Sequence, residues 1–322
     1  MWTWDMPTEV FTLPVIGWPI AWYGVLFAVG FWVGYQILFW SYLRRLPETI
    51  NEDDILDKKA LFDSVKKGQL PLVKLRETRI EIVLEALNRM DRQGLEKRFG
   101  WLLKRKVRAK AFCEKLSIYV IIGTLIGARL GHLLFYEPIA DLVKDPLVIL
   151  RFREGGLASH GGVLGIVIAL LLFARKMRFG IGQLVSLLAI PACVAGGFIR
   201  LGNFVNQEIL GKVTSLPWAV IFGHPADGSF PMPRHPVVLY EAIVYFGLPF
   251  FLTRVRAKGA WMLTLLFSAR FVIEFFKEEQ CVWMGHDAYL TMGQWLSIPC
   301  ILFGIIWLIM GRRGVERRLA SA

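Results

Sequence analysis

Apolar residues along the chain gather into long runs that short polar stretches separate. Seven runs approach the length of about 17–25 residues that a helix needs to cross a bilayer. They cover residues 18–42, 116–136, 157–174, 183–199, 237–253, 260–276 and 292–311. This pattern predicts an all-α polytopic membrane protein with seven transmembrane helices.

One long hydrophilic segment, residues 44–115, follows the first run. Acidic residues open it, as at a helix start, and Ile80, Val83 and Leu87 repeat at the spacing of one helical face. We expect helices near an anionic leaflet, where each Lys or Arg adds about 1 kcal/mol of attraction. Two interpretations stay open: a solvated insertion that helps to set topology, and a docking arm for a partner.

Composition and charge support the membrane assignment. Hydrophobic residues make up 55% of the chain and the net charge is +12. Alternate loops, beginning with 44–115, hold 29 of the 38 Lys and Arg residues, and the other loops hold 7. Because excess Lys and Arg mark the cytoplasmic side, the N-terminus is predicted outside and the C-terminus inside. The positive charge is explained by topology, so we expect no nucleic-acid partner.

The same pattern divides the chain into three parts. Residues 1–43 hold the outer N-terminus and first span, 44–115 a helical cytoplasmic insertion, and 116–322 six further spans. The Gly- and Pro-rich stretch at about 200–236 predicts a small irregular outer (periplasmic) cap. The N-terminus lacks the basic region of a signal peptide. The four cysteines show no C-x-x-C spacing, so we expect neither a metal site nor a disulfide framework. We also expect no cofactor.

Polar residues inside apolar runs are costly and usually functional. Arg129 and His132 are three residues apart and share a helical face, beside a glycine ridge at Gly123, Gly127 and Gly131 that predicts close helix packing. An arginine at that depth needs an anion or a carboxylate partner.

The stretch GGLASHGG, residues 155–162, places His160 among four glycines. The first pair can turn the chain and the second allows close backbone approach, and we expect the glycines to leave room for a ligand. We therefore interpret His160 as functional. Ser159 suggests a serine hydrolase, but adjacent residues do not normally present a hydroxyl to an imidazole as a catalytic dyad needs.

Three further runs carry polar groups near their predicted outer ends. The guanidinium fork of arginine suits phosphate, and Arg270 and Glu274 are four residues apart, as in a helical ion pair. The residues predict a site near the outer surface for a substrate whose phosphate lies at headgroup depth. The polar groups are Arg200, Asn203, Asn206 and Glu208, then His235, Tyr240 and Glu241, then Arg270 and Glu274.

Several motifs in the same order resemble the prolipoprotein diacylglyceryl transferase family of bacterial inner membranes. The resemblance covers most of the chain outside 44–115. It rests on WYG at 22–24, GARLGHLLFY at 127–136, GGLASHGG at 155–162, RLGNFVNQE at 200–208, RHPVVLYE at 234–241, RFVIEFFK at 270–277 and MGQWLSIP at 292–299.

The resemblance implies transfer of a diacylglyceryl group from phosphatidylglycerol to the thiol of a lipobox cysteine in a prolipoprotein signal peptide, with release of glycerol phosphate. It implies seven spans and an active site on the outer side. Family residues map onto His160, Arg200, Arg270, Tyr23, Asn203, Glu208 and Glu274. We expect catalytic roles for His160, Arg200 and Arg270, and substrate binding by Tyr23, Arg129, Asn203, Glu208, His235, Tyr240, Glu241 and Glu274.

The chain departs from the family pattern at a few positions. HPVVLYE replaces HPSQLYE, Leu266 replaces a tyrosine, Lys212 replaces an arginine, and KEEQ follows the sixth run. These changes affect the substrate side of the site. Three alternatives stay open: a transporter of an anionic solute, although no two related halves are evident; an intramembrane hydrolase that uses Ser159 and His160; and a scaffold organised by the basic segment.

Overall fold

A computed structural model of the chain describes residues 1–12, 14, 19–46, 105–135, 158–278 and 290–320. Most of the hydrophilic segment 44–115 lies outside these residues, so its predicted helices are not tested.

Each predicted apolar run overlaps one described helix. Helix α2 begins earlier than the predicted run, within the basic stretch KRKVRAK, because Lys and Arg are good helix formers. The helices are α1 (Trp22–Leu43), α2 (Arg105–Phe135), α3 (Ser159–Met177), α4 (Ile181–Val205), α5 (Val237–Leu252), α6 (Lys258–Ile273) and α7 (Met292–Ala320).

The helices confirm a mostly helical, polytopic membrane protein. Among the described residues, five helices are long and apolar enough to cross a membrane: α1, α2, α4, α7, and α6 together with the turn that follows it. Helix α5 is apolar but shorter. Large apolar side chains such as Leu134, Ile243 and Phe250 are largely exposed, as expected for groups that face lipid.

Short strands accompany the helices. They are β1 (Trp2–Trp4), β2 (Glu9–Thr12), β3 (Pro19–Ala21), β4 (Val220–Phe222) and β5 (Pro233–Arg234). β1 runs parallel to β4, with Trp2 opposite Val220, and β4 runs antiparallel to β5. β2 and β3 form a separate antiparallel pair.

The described chain divides into two compact units. The first contains Met1–Leu38 and Val185–Ala322, and the second contains Phe39–Leu184. In the first unit, the sheet packs on the ends of α4, α5 and α6 through a buried apolar cluster. Its members include Phe204, Val220, Phe222, Val237 and Ile273. Trp4 adds an aromatic contact, with its ring 4.7 Å from that of Phe204.

Small residues let the helices of the first unit approach closely. A Cβ added to Gly196 would meet the ring of Tyr245, and one added to Gly197 would meet the ring of Phe246, so α4 packs tightly against α5. A Cβ on Gly304 of α7 would similarly meet Thr264 of α6. Small residues at such interfaces are typical of membrane helices.

The second unit confirms the predicted packing of the glycine ridge. A Cβ on Gly127 would lie 2.7 Å from the Cα atom of Gly165, and one on Gly131 would lie 2.6 Å from that of Gly161. Helices α2 and α3 therefore touch backbone to backbone. The expectation that Gly161 leaves room for a ligand is wrong, because the backbone of α2 occupies that space. The pair Gly155 and Gly156 lies outside the described residues.

Candidate functional site

The carboxylate of Glu241 is the centre of a charged cluster in the first unit. Glu241 lies in the first turns of α5 and its side chain is only 1% exposed. An isolated buried charge is strongly destabilising, and three cations compensate for it here. Lys277 Nζ lies 2.8 Å from Oε1, and Arg270 Nη1 lies 4.0 Å from the same oxygen.

Arg200 is the third cation. Its Nε atom lies 2.6 Å from Glu241 Oε2. The two groups form an ion pair, but the geometry is not that of a hydrogen bond to Oε2. Arg200 comes from α4, Glu241 from α5, and Arg270 from the last turn of α6. The structure therefore brings together three of the residues that the sequence singled out. We call Arg200, Glu241, Arg270, Glu274 and Lys277 the Glu241 cluster.

Arg270 and Glu274, which have the spacing of a helical ion pair, form their close ion pairs with other residues. Helix α6 ends at Ile273 and Glu274–Phe276 form a 3-10 turn, and the Glu274 N–H still donates to the Arg270 carbonyl. Glu274 Oε2 instead lies 3.2 Å from Lys277 Nζ, and Arg270 pairs with Glu241. Glu274 also accepts a hydrogen bond from the Thr291 hydroxyl.

A hydrogen-bonded chain extends the site from Arg200 to Glu208. Arg200 Nη1 donates to Asn203 Oδ1 at 3.0 Å. Asn203 Nδ2 donates to Glu208 Oε2 at 2.7 Å, and Asn206 Nδ2 donates to Glu208 Oε1 at 3.0 Å. Arg200 is therefore held from two sides, by Glu241 and by Asn203.

A left-handed turn after α4 brings Glu208 back to the helix. Gln207 has φ 54° and Ile209 has φ 56°, a conformation that non-glycine residues seldom adopt. The backbone N–H of Glu208 donates to the carbonyl oxygen of Asn203. Gln207 is fully buried and its Oε1 accepts a hydrogen bond from the His224 backbone, a contact that compensates for the unusual backbone. Sequence reasoning missed Gln207.

Tyr23, at the start of α1, reaches the same end of α4. A Cβ on Gly202 would lie 2.9 Å from Cδ2 of the Tyr23 ring. Because Gly202 precedes Asn203, the ring lies beside the hydrogen-bonded chain. The structure therefore places Tyr23 with Arg200, Asn203 and Glu208 in the first unit.

His235 and Tyr240 form a polar group of their own. The indole Nε1 of Trp218 donates to the Tyr240 hydroxyl at 2.9 Å, and that hydroxyl lies 3.2 Å from His235 Nδ1. Burial lowers the pKa of His235, which favours a neutral ring. The Nδ1 atom of a neutral ring can accept a hydrogen bond from the Tyr240 hydroxyl. Phe276, the residue before Lys277, packs against the His235 ring at 5.1 Å.

The first-unit site contains three cationic side chains and three carboxylates, which differ in exposure. Arg200, Arg270 and Lys277 face Glu208, Glu241 and Glu274. The side chains of Arg200 and Arg270 are 16% and 26% exposed, whereas Glu241 is almost completely buried. Glu274 is also partly exposed, at 15%. The accessible part of the Glu241 cluster therefore includes two guanidinium groups, which suit an anionic ligand. Within the described ranges, no group of three His, Cys, Asp or Glu residues could hold a metal ion.

Arg129 and His160 lie in the second unit. Arg129 is buried in α2, and the backbone N–H of Ala158 donates to the carbonyl oxygen of Ala128 next to it. His160 lies in the first turn of α3, and its side chain is outside the described part of the structure. Their predicted roles in the site are not tested.

Comparison with known proteins identifies one family. The family model described as "Prolipoprotein diacylglyceryl transferase" matches residues 98–310. A phosphatidylglycerol--prolipoprotein diacylglyceryl transferase of Protochlamydia amoebophila is 34% identical over 94% of this chain and 94% of its own length. A protein of the same name from Porphyromonas gingivalis is 34% identical over 96% of this chain and 93% of its own length. Another, from Chloroherpeton thalassium, is 45% identical over 59% of this chain and 73% of its own length. This chain is a member of the prolipoprotein diacylglyceryl transferase family.

Proposed function

We propose that this chain transfers a diacylglyceryl group from phosphatidylglycerol to the thiol of a lipobox cysteine in a prolipoprotein. The sulfur forms a bond with the glyceryl carbon, and the bond between that carbon and the phosphate oxygen breaks. The electron pair leaves with glycerol phosphate, and a base takes the thiol proton. Membership of the family supports this reaction.

The observation that carries the proposal is that the Glu241 cluster holds two partly exposed guanidinium groups, those of Arg200 and Arg270. The reaction develops negative charge on the leaving phosphate, and preorganised cations lower the energy of such a transition state. Arg200 and Arg270 come from different helices, and both lie beside one buried carboxylate, at 2.6 and 4.0 Å. In this proposal they bind the phosphate and stabilise the leaving group.

The remaining predicted residues are assigned to substrate binding and proton transfer. Asn203 and Glu208 hold Arg200 in place, Glu274 pairs with Lys277, and Tyr23 lies against the lipid beside them. His160 acts either as the base for the thiol or as a hydrogen-bond donor to the ester oxygens. Arg129, His235, Tyr240 and Glu241 complete the substrate-binding set.

The proposed topology follows the distribution of positive charge. Seven helices cross the bacterial inner membrane, with the N-terminus in the periplasm and the C-terminus in the cytoplasm. The sheet and the predicted segment at about 200–236, of which 200–205 belong to α4, form an outer cap. Residues 44–115 form a cytoplasmic insertion. This arrangement puts the Glu241 cluster, whose residues adjoin the sheet, at the depth of the outer headgroups.

The proposal is tested with phosphatidylglycerol labelled in its acyl chains and a peptide that carries a lipobox cysteine. Membranes that contain the chain should transfer the label to the peptide in a thioether linkage. A peptide with serine in place of the cysteine is the matched control and should stay unlabelled. An anion transporter would move solute and leave both peptides unlabelled, which would refute the proposed reaction.

Complementation provides the second test. The chain should restore growth of a bacterium depleted of its own transferase. A version in which a short Gly-Ser linker replaces residues 47–104, so that α1 and α2 stay intact, is tested beside it. It shows whether that part of the insertion is needed for growth.

A further inference from the structure

Lys277 lies where the chain leaves helical geometry after α6. The 3-10 turn Glu274–Phe276 ends the helix, and Lys277 itself is extended, with φ −79° and ψ 148°. Its side chain turns back to two carboxylates and is only 10% exposed. Because a buried ammonium without a partner is strongly unfavourable, Glu241 and Glu274 fix its position.

Two backbone hydrogen bonds hold Lys277 against the segment that follows α4. The Lys212 N–H donates to the Phe276 carbonyl at 2.8 Å, and the Glu278 N–H donates to the Leu210 carbonyl at 3.1 Å. Gly211 lies opposite Lys277 in an antiparallel bridge. Lys277 therefore has a defined backbone position as well as defined side-chain partners.

A side-chain latch strengthens this pairing. Arg234 of β5 is buried, forms an ion pair with Glu278, and donates from Nη1 to the Gly211 carbonyl at 3.2 Å. Its Nη2 atom donates to the Ser229 hydroxyl, also at 3.2 Å. We call the ion pair of Arg234 with Glu278 the latch. It ties the residue after Lys277 to the sheet.

The distances at Glu241 show what the ammonium does there. Lys277 is 2.8 Å from Oε1, whereas Arg270 is 4.0 Å from the same oxygen. With Arg200 at Oε2, both carboxylate oxygens have a close cation without Arg270. Lys277 thus leaves Arg270 near the carboxylate but not in close contact with it.

We propose that Lys277 is a positioning residue, which occupies Glu241 Oε1 and so keeps the guanidinium of Arg270 available for the phosphate of the lipid. The latch holds Lys277 in that place. This inference rests on the proposed function. Without the ammonium, Arg270 moves onto Glu241 and its affinity for the lipid phosphate falls, so the KM for phosphatidylglycerol rises more than kcat falls.

The test measures transfer kinetics of the purified full chain at varied phosphatidylglycerol, with three variants. Lys277→Met should raise the KM by about tenfold or more, the effect expected when a buried charge pair loses one partner. Lys277→Arg, which keeps the charge, should restore most of the affinity. Lys258→Met, which removes the same charge from the other end of α6, is the matched control and should keep the KM of the unmodified protein.

Glu278→Gln keeps the proposal testable if Lys277→Met does not fold, as judged by its thermal midpoint and gel-filtration profile. It loosens the latch without removing a charge from the Glu241 cluster, and should raise the KM in the same direction by a smaller factor. The inference is overturned if the unmodified chain transfers the lipid and the KM is unchanged in both Lys277→Met and Glu278→Gln. Where Lys277→Met does not fold, an unchanged KM in Glu278→Gln alone overturns it. Either result leaves the proposed function standing.

A second readout tests the positioning role of Lys277 separately from the proposed reaction. The stabilisation of the protein by added phosphatidylglycerol, measured as a shift of the thermal midpoint, needs no turnover. If the unmodified chain binds the lipid but forms no thioether, the proposed reaction fails. In that case a weaker shift in Lys277→Met, or in Glu278→Gln, still supports the positioning role, and an equal shift overturns it.

Discussion

The Nε atom of Arg200 lies 2.6 Å from Oε2 of Glu241, and this ion pair joins α4 to α5 at the centre of the site. The Glu241 side chain is 1% exposed, whereas that of Arg200 is 16% exposed. The same carboxylate also organises Lys277 and Arg270, so its loss should affect all three cations.

Glu241→Gln should destabilise the protein and abolish most of its activity. Breaking a buried ion pair by removing one partner costs about 3–5 kcal/mol, and three cations here share one carboxylate. The thermal midpoint in detergent and the transfer rate measure the two effects. Glu114→Gln is the control, because Glu114 forms an exposed pair with Lys110, which is worth about 0.3–0.5 kcal/mol. Equal stability of the two variants would contradict the central role of Glu241.

Asn203→Ala should lower activity more than Asn206→Ala. Both side chains bind Glu208, but only Asn203 also accepts a hydrogen bond from Arg200. Removing Asn203 leaves buried polar groups unpaired, at a cost of about 1–3 kcal/mol, and frees one side of Arg200. Transfer rates of the two variants, normalised to the amount of folded protein, measure the difference. Equal rates would show that the contact between Arg200 and Asn203 is dispensable.

His160→Gln and Ser159→Ala separate the transferase from a hydrolase that uses serine. We expect His160→Gln to reduce transfer by roughly 10²–10⁴-fold if the imidazole moves a proton. Ser159→Ala should keep the rate, since the cysteine of the protein substrate supplies the nucleophile. A hydrolase would lose its activity in Ser159→Ala, and that result in the transfer assay would exclude our assignment of the nucleophile.

Gly165→Ala should destabilise the second unit. The new methyl group would meet the carbonyl of Gly123 and the Cα atom of Gly127, and overpacking of this kind costs about 1–3 kcal/mol. Gly247→Ala is the control, because its Cβ would meet no atom within 4 Å and alanine is the better helix former. The thermal midpoint should fall for Gly165→Ala and stay equal or rise for Gly247→Ala.

The helices were predictable from the sequence because the length of an apolar run is a direct requirement of the bilayer. The strands were not, since β1 and β4 have three residues each and β5 has two, too few for an alternating pattern. Their partners are also distant, as Trp2 pairs with Val220. Glycine spacing did predict that α2 packs closely against another helix, because close packing requires small residues on one face; that α3 is this helix was not predicted.

Some residues of the Glu241 cluster were predictable from the sequence, but not all their contacts. Arginines within an apolar run or at its end are costly, so Arg270 and Arg200 were conspicuous, and the structure brings both to Glu241. Arg270 and Glu274 keep the spacing of one helical turn, but the ion pairs that they form, with Glu241 and Lys277, were not predicted. Lys277 was missed because its main partner, Glu241, is 36 residues away. The available signal was its spacing of three from Glu274.

The central claim is that Arg200 and Arg270 together bind the lipid phosphate and stabilise the leaving group. The direct measurement is the rate of thioether formation in membranes that carry Arg200→Ala, Arg270→Ala or the control Arg254→Ala, an exposed arginine between α5 and α6. We predict a loss of about 10²–10³-fold for each of the first two variants, as for other groups that stabilise developing charge, and an unchanged rate for the control. Rates equal to that of the unmodified protein in both Arg200→Ala and Arg270→Ala would contradict the account.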